Sequence, residues 1–368
     1  MITSLSRGFL IAALLYGVVI SWPALSEGGV SGWWAAARGV GILRYLFWLS
    51  AVIAVAMAAS WVFRELLRRT MPEIIAKPMR QAPLTAAFGI MIILAYVIVA
   101  VGAPAIAPFG EAEIFEKINV LPGGDAELGG DPNHFLGTDQ IGRDILSRLI
   151  YGARNTVGIA FLTTVLSFVI GVTLGFLAAT LGGWVDQFFS RSIDVLMAIP
   201  QLIFALLLMT IASEWAYRSG ISLTWFMILI IAVLDSTRVF RLARAVGLNI
   251  VVMDYIEAAK VRGETLAHIV FREILPNAFA PLLAEFGLRF CFVFLTIASL
   301  SFLGIGIQPP LADWGTMVRD LSQFINFAVY DPLTASLPLM AAGAIALLTV
   351  AVNFVVDWML QNTSGLKE

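Results

Sequence analysis

"DYIEAAKVRGETLAHIVFREILPN", residues 254–277, is a charged block set between two long apolar runs. Within it, Leu266, Ile269, Val270 and Ile274 recur at helical spacing and form one apolar stripe. Gly263 precedes the stripe and offers a left-handed turn that ends one helix before the next begins. Ala258 and Ala259 carry almost no side chain, so another surface can approach the backbone there. Pro276 marks the start of a further helix. The pattern reads as two short helices at an angle. They suit docking to a partner, or equally an amphipathic loop lying on lipid headgroups.

The surrounding chain decides which environment the block meets. Of 368 residues, 60% are hydrophobic and 13% charged, with a mean hydropathy of +0.90. Soluble domains carry about a quarter charged residues. Apolar segments at roughly 8–26, 40–63, 84–107, 155–180, 189–212, 221–240, 279–305 and 335–360 each approach the ~20 residues that cross a hydrocarbon core. The expected class is an all-α polytopic membrane protein in contact with lipid. Residues 1–26 read as a retained first span rather than a cleaved leader, because the apolar stretch is long and many spans follow.

Sidedness follows from basic residues near helix ends. The connection 64–83 holds Arg64, Arg68, Arg69, Lys77 and Arg80, and 241–278 holds Arg241, Arg244, Lys260, Arg262 and Arg272. Both are expected in the cytoplasm. The segment 108–150 carries Glu111, Glu113, Glu116, Asp125, Glu127, Asp131, Asp139 and Asp144, which suits the outside. An even number of crossings then leaves both termini cytoplasmic, and the quoted block becomes a cytoplasmic excursion between the sixth and seventh spans.

Several chemistries find no support. The lysines Lys77, Lys117, Lys260 and Lys367 never follow a glycine, so the phosphate loop Gly-x-x-x-x-Gly-Lys-Ser/Thr is missing. Any ATP that drives the protein must be bound by another chain. The single Cys291 lies in an apolar run and forms no intrachain disulfide or thiol cluster. His134 and His268 are far apart and read as loop or helix-surface residues, not metal ligands. No long basic run points to nucleic acid. No catalytic residue, metal or bound cofactor is expected.

Glu257, Ala258, Ala259, Gly263 and then Ile274, Leu275, Pro276 reproduce the Glu-Ala-Ala, three residues, Gly, Ile-Leu-Pro-like signature of the membrane subunits of bacterial ABC importers, which this chain resembles. Two further stretches, "LGTDQIGRDILSRLIYGAR" (136–154) and "SLSFLGIGIQPPLADWGTM" (299–317), resemble hallmarks of the dipeptide/oligopeptide/nickel subgroup, and specifically the second of its two paired permeases. "GGWVDQFFSRSIDVLMAIP" (182–200) fits the same subgroup, and the likeness covers about residues 84–360. It implies a six-span type I importer core in a bacterial inner membrane, with a coupling helix at about 248–277. Glu257 and both alanines would face an ATPase groove and Gly263 would make the bend. It also implies a homologous second permease, two ATPase subunits that bind ATP and Mg, and an extracytoplasmic substrate-binding protein. The subgroup's default cargo is a short peptide, with nickel, sugars and opine-like solutes as alternatives. The expected organisation is an extension over 1–80 with two extra spans, a first core span with the acidic segment over 81–153, and the transmembrane core over 154–360.

Outside the block, Gly137 and Gly142 permit tight turns, and Asp139, Arg143 and Asp144 either pair locally or hold the binding protein, with Asp144 and Arg148 spaced to meet at i,i+4. Pro309 and Pro310 are expected to end a helix beside Gln308, and Trp314 to anchor at the interface, so that this turn gates an outer mouth. Glu285 and Arg289 are expected to pair one turn apart, and Asp194 to pair with Arg191. Pro200 is expected to kink the fifth span, and Gly171 and Gly175 to form a close-packing face. A free-standing secondary transporter would want internal repeats and mid-membrane sites, and a membrane enzyme would want converging catalytic groups. Co-purifying ATPase subunits separate the importer reading from both.

Overall fold

The computed structural model describes residues 41–124, 127, 129–327 and 332–363, so the expected span at 8–26 lies outside it. The chain forms two compact units, 1–91 and 92–368. In the first, helix α1 (Gly41–Thr70) precedes the short α2 (Glu73–Gln81), and Arg64 ties the connection by donating to the Ala82 carbonyl at 3.0 Å. Helix α3 (Leu84–Ile106) carries the chain across the division into the second unit.

The second unit continues with α4 (Ile145–Leu181), α5 (Gly183–Ala198), α6 (Gln201–Ser219), α7 (Leu223–Val251), α8 (Asp254–Val261), α9 (Leu266–Phe302), α10 (Trp314–Leu321) and α11 (Pro332–Thr363). Among the described residues, seven helices are long and apolar enough to cross a membrane: α1, α3, α4, α6, α7, α9 and α11. Helix α9 has 37 residues, about 56 Å at 1.5 Å each, against a hydrocarbon core of about 30 Å. It is longer than the bilayer is thick, and its first turns belong to the 254–277 block.

Helices α4 and α7 pack along most of their length because glycine removes the side chains between them. A Cβ on Gly171 would lie 2.6 Å from Val239 Cβ and 2.7 Å from the Ser236 carbonyl oxygen. On Gly175 it would meet Ala243 Cβ at 2.7 Å, and on Gly247 Ala179 Cβ at 2.9 Å. Lipid tails are as apolar as leucine, so close packing of this kind is what holds such helices together. Around this pair, Met227, Ile231, Phe290, Phe294, Ile297 and Leu300 build a core shared with α6, α10 and α11.

Three local expectations change. Pro200 does not kink a continuous helix: Ala198 ends α5, Ile199 is extended (ψ 132°), and Pro200 caps α6. The span expected at 189–212 is therefore α6, shifted later in sequence. Asp194 pairs with Arg241 of α7 at 2.6 Å instead of Arg191, because α5 lies against α7. Beside it Arg244 grips Asp186 through two nitrogens and holds that carboxyl below the usual aspartate range. Finally, α9 ends at Phe302 and turns at Gly304 (φ +87°), so Pro309 and Pro310 lie in the following loop and do not terminate it.

Candidate functional site

The block at 254–277 forms an elbow. Met253 is extended and α8 starts at Asp254, with Asp254 and Glu257 in its first turn, where carboxylates suit the positive end of the helix. Gly263 ends it with φ +79°. The Glu264 amide donates to the Ala259 carbonyl at 3.2 Å and the Gly263 amide to that of Lys260 at 3.0 Å, a glycine-stopped terminus. Thr265 then caps α9, its Oγ1 accepting from the His268 amide at 3.3 Å. The His268 ring sits 3.5 Å from Glu264 and 3.7 Å from Glu273, on the surface as expected.

One face of the elbow is bolted to the bundle. Ile256, Ala259 and Ile274 are fully buried, with Ile269 and Val270 nearly so, against Phe176, Ala243, Ile250, Ala278 and Leu282. The other face is open. Glu257 and Ala258 are exposed, as are Val252 (79%), Val261 (84%), Met253, Tyr255 and Phe271. The expectation that both alanines face outward therefore needs correction: helical spacing from Ile256 turns Ala259 inward, and Ala258 alone has a free face. Ile274 is also inward, whereas Pro276 is exposed at the second position of the last regular stretch of α9. The apolar stripe stands as read at Ile269, Val270 and Ile274, with Leu266 at the rim.

At the other end of α9 the acidic segment and the 303–321 loop make a polar cap. Gly137 (φ +79°) and Gly142 (φ +84°) turn the chain where a Cβ would strike the Val120 and Phe115 carbonyl oxygens, at 2.0 and 2.2 Å. Asp139 accepts from the amides of Ile141 and Arg143 and from Arg143 Nε at 2.7 Å. Asp144 caps α4, accepting from the Ser147 amide at 2.7 Å, and its other oxygen meets His134 Nδ1 at 2.9 Å. His134 is buried between the rings of Phe109 and Phe115, not on a loop surface. The expected Asp144–Arg148 pair does not form, because a capping carboxylate folds back on its own helix terminus; Arg148 lies 3.8 Å from Asp139 instead.

Burial narrows the reading of this segment as a docking surface. Asp139, Arg143 and Asp144 are each at most 8% exposed and build the cap, with Asp139 and Asp144 spent on local donors. Trp314 is 2% exposed; its Nε1 donates to the Leu149 carbonyl at 2.9 Å and its ring packs edge-on to Tyr96 and Phe294. It locks α10 to the bundle and anchors nothing in lipid. Gln308 Nε2 donates to the carbonyls of Gly304 and Gly306, fixing the loop. Asp313 accepts from Thr156 Oγ1 at 2.9 Å and the Thr316 amide at 2.8 Å, while burial pushes its carboxyl up.

Between elbow and cap lies a polar cluster that sequence reading missed. Asp235 of α7 is fully buried and accepts from Ser167 Oγ of α4 at 3.3 Å. Arg289 Nη1 of α9 stands 3.7 Å from it. Glu285 approaches Arg289 Nε at 2.7 Å, the expected one-turn pair, without hydrogen-bond alignment. The Arg289 guanidinium also lies 4.6 Å over the Phe292 ring. Three helices thus meet at one charge cluster near mid-span. A carboxylate at position 235, directly after the apolar run from 226 to 234, was the available signal.

A bundle of long apolar helices carrying a two-faced elbow defines a class, the all-α polytopic membrane proteins. Residues 171–364 match the family described as binding-protein-dependent transport system inner membrane component. The chain is 36% identical over 243 residues to a dipeptide transport system permease protein of Haemophilus influenzae, covering 66% of this chain and 79% of that one. It is 34% identical over 252 residues to the protein of that name in Alkalihalophilus pseudofirmus, covering 68% and 78%. A di/tripeptide transport system permease protein of Pseudomonas aeruginosa shares 33% over 270 residues, covering 73% and 84%. The chain belongs to this family, in its dipeptide/oligopeptide/nickel-type group of ABC-importer permeases. It is a multi-pass inner-membrane protein and a non-catalytic subunit, one that works with a partner permease and ATPase subunits.

Proposed function

We propose that the chain forms half of the translocation pathway of a peptide importer and that the elbow is its coupling element to an ATPase. The observation that carries the coupling role is the two-sided elbow: one face bolted to α4, α7 and α9, the other exposing Glu257, Ala258, Val261 and Phe271. Displacing such a piece moves packed helices as a body, which is how alternating access is driven. The names of the relatives, dipeptide and di/tripeptide permeases, support a peptide of two or three residues as cargo.

In this reading the elbow and both termini face the cytoplasm and the cap faces outward. ATP and Mg are held by two partner ATPases, a homologous permease completes the pathway, and a separate binding protein delivers cargo. The core is six spans, with residues 1–80 adding two more that contact lipid or a neighbouring subunit. Reconstituting the chain in vesicles with those three kinds of partner tests it. Dialanine uptake that needs ATP and the binding protein is the expected result; uptake without ATP, or none of any peptide, would overturn it.

A further inference from the structure

The cap contains two adjoining clefts of about 220 and 290 Å³, counting the open space at their mouths. They share Arg148 and Asp320, and Arg143, Arg319 and Asp139 complete the charged lining. Three guanidinium groups therefore face two carboxylates. Arg143 takes Asp139 at 2.7 Å and Arg319 takes Asp320 at 2.9 Å. Arg148 is left over. Its Nε is 3.8 Å from Asp139, past hydrogen-bond reach, and its Nη1 is buried with no hydrogen-bond partner among the described residues. The residue is only 4% exposed, so this buried cation, loosely paired with Asp139, keeps one N–H group unsatisfied, which is rare in folded proteins.

Gly304, at φ +87°, lies where a Cβ would come within 2.7 Å of Arg319 Nη1. Gln308 spends its amide hydrogens on the carbonyls of Gly304 and Gly306, which fixes the loop beside the cleft. The fork of a guanidinium matches a carboxylate through two parallel hydrogen bonds.

We propose that Arg148, with Arg319 and Arg143, forms a binding pocket for a single carboxylate presented at the cap. Under the peptide-importer reading, on which the sources rest, that group is either the C-terminus of the cargo or an acidic side chain of the docked binding protein.

The test uses the assembled transporter in lipid nanodiscs, as wild type, Arg148→Met and Arg319→Gln. One arm titrates dialanine and its C-terminal amide by calorimetry; the other measures docking of ligand-free binding protein. The expected result is a loss of about tenfold or more in one arm for both variants, in line with the strength of charged hydrogen bonds. Loss for dialanine but not the amide names the cargo as source; loss of docking names the binding protein. Arg148→Met removes a buried charge only loosely paired with Asp139, which keeps Arg143, and should leave the thermal midpoint unchanged or higher. Binding within twofold of wild type in both arms overturns the pocket, as does a midpoint lowered in Arg148→Met together with normal binding by Arg319→Gln. A wild type that binds neither probe also overturns it, and dialanine uptake by that same preparation separates this failure from failure of the peptide reading.

Discussion

Removing Asp235 from the mid-span cluster should weaken the protein far more than removing it together with Arg289. Two unit charges 3.7 Å apart attract by about 4.5 kcal/mol at an effective dielectric constant of 20. Asp235→Leu leaves Arg289 buried beside Glu285, and Arg289→Met leaves Asp235 with Ser167 and the charge of Arg238. Stranding a buried charge typically costs about 3–5 kcal/mol. The double variant strands neither of the two, since Glu285 is 22% exposed and can turn towards water. A coupling of about 2–4 kcal/mol is expected, below the full Coulomb figure because Glu285 shares the Arg289 charge. The assay is denaturant unfolding of the purified complex for wild type, both single variants and the double variant. Strictly additive losses would refute the claim that these residues hold α4, α7 and α9 as a unit.

Other consequences follow from the packing and the turns. Gly171→Leu and Gly175→Leu should each lower stability by at least about 1–3 kcal/mol, the usual penalty of overpacking, because α4 and α7 would have to separate; Gly343→Leu, which meets open space, should unfold like wild type. Gly263→Ala should cost about 1–2 kcal/mol through its left-handed backbone alone, since a Cβ there meets nothing within 4 Å, and Gly263→Asn should recover part of the loss. Lys117 holds the Asp131 carboxyl below its ordinary value of 3.8. A lowered folded-state value means this contribution is present above pH 3.8 and fades as pH falls through the lower value. Acid unfolding followed by intrinsic fluorescence should therefore begin at higher pH for Lys117→Met than for wild type.

Much of the architecture was readable because membrane spans are set by local composition. Among the described residues the apolar runs became helices, apart from the break at Ile199 and Pro200, Gly263 took a left-handed angle, and the Gly171–Gly175 face packed as expected, each a property of one segment and its nearest turn. What escaped depends on partners distant in sequence. Asp194 meets Arg241, and Asp235 meets Arg289 some 54 positions later. Trp314 looked interfacial by type but fills the space left by Gly152, where a Cβ would stand 2.5 Å from its ring. The inward turn of Ala259 was legible in principle, being three residues after buried Ile256. The Glu-Ala-Ala pattern drew the eye to both alanines and away from that periodicity.

The claim that matters most is that the exposed face of the elbow touches an ATPase. Cys291 is the chain's one cysteine and is buried, so a Cys291→Ser background lets single probes be read cleanly. Cysteines at Ala258 and Ala259, one outward and one inward, should be compared for crosslinking to co-expressed ATPase subunits engineered with surface cysteines. Strong crosslinking from position 258, and little from 259, is the predicted outcome. Crosslinks absent from 258, or formed only to a chain on the far side of the membrane, would contradict the account.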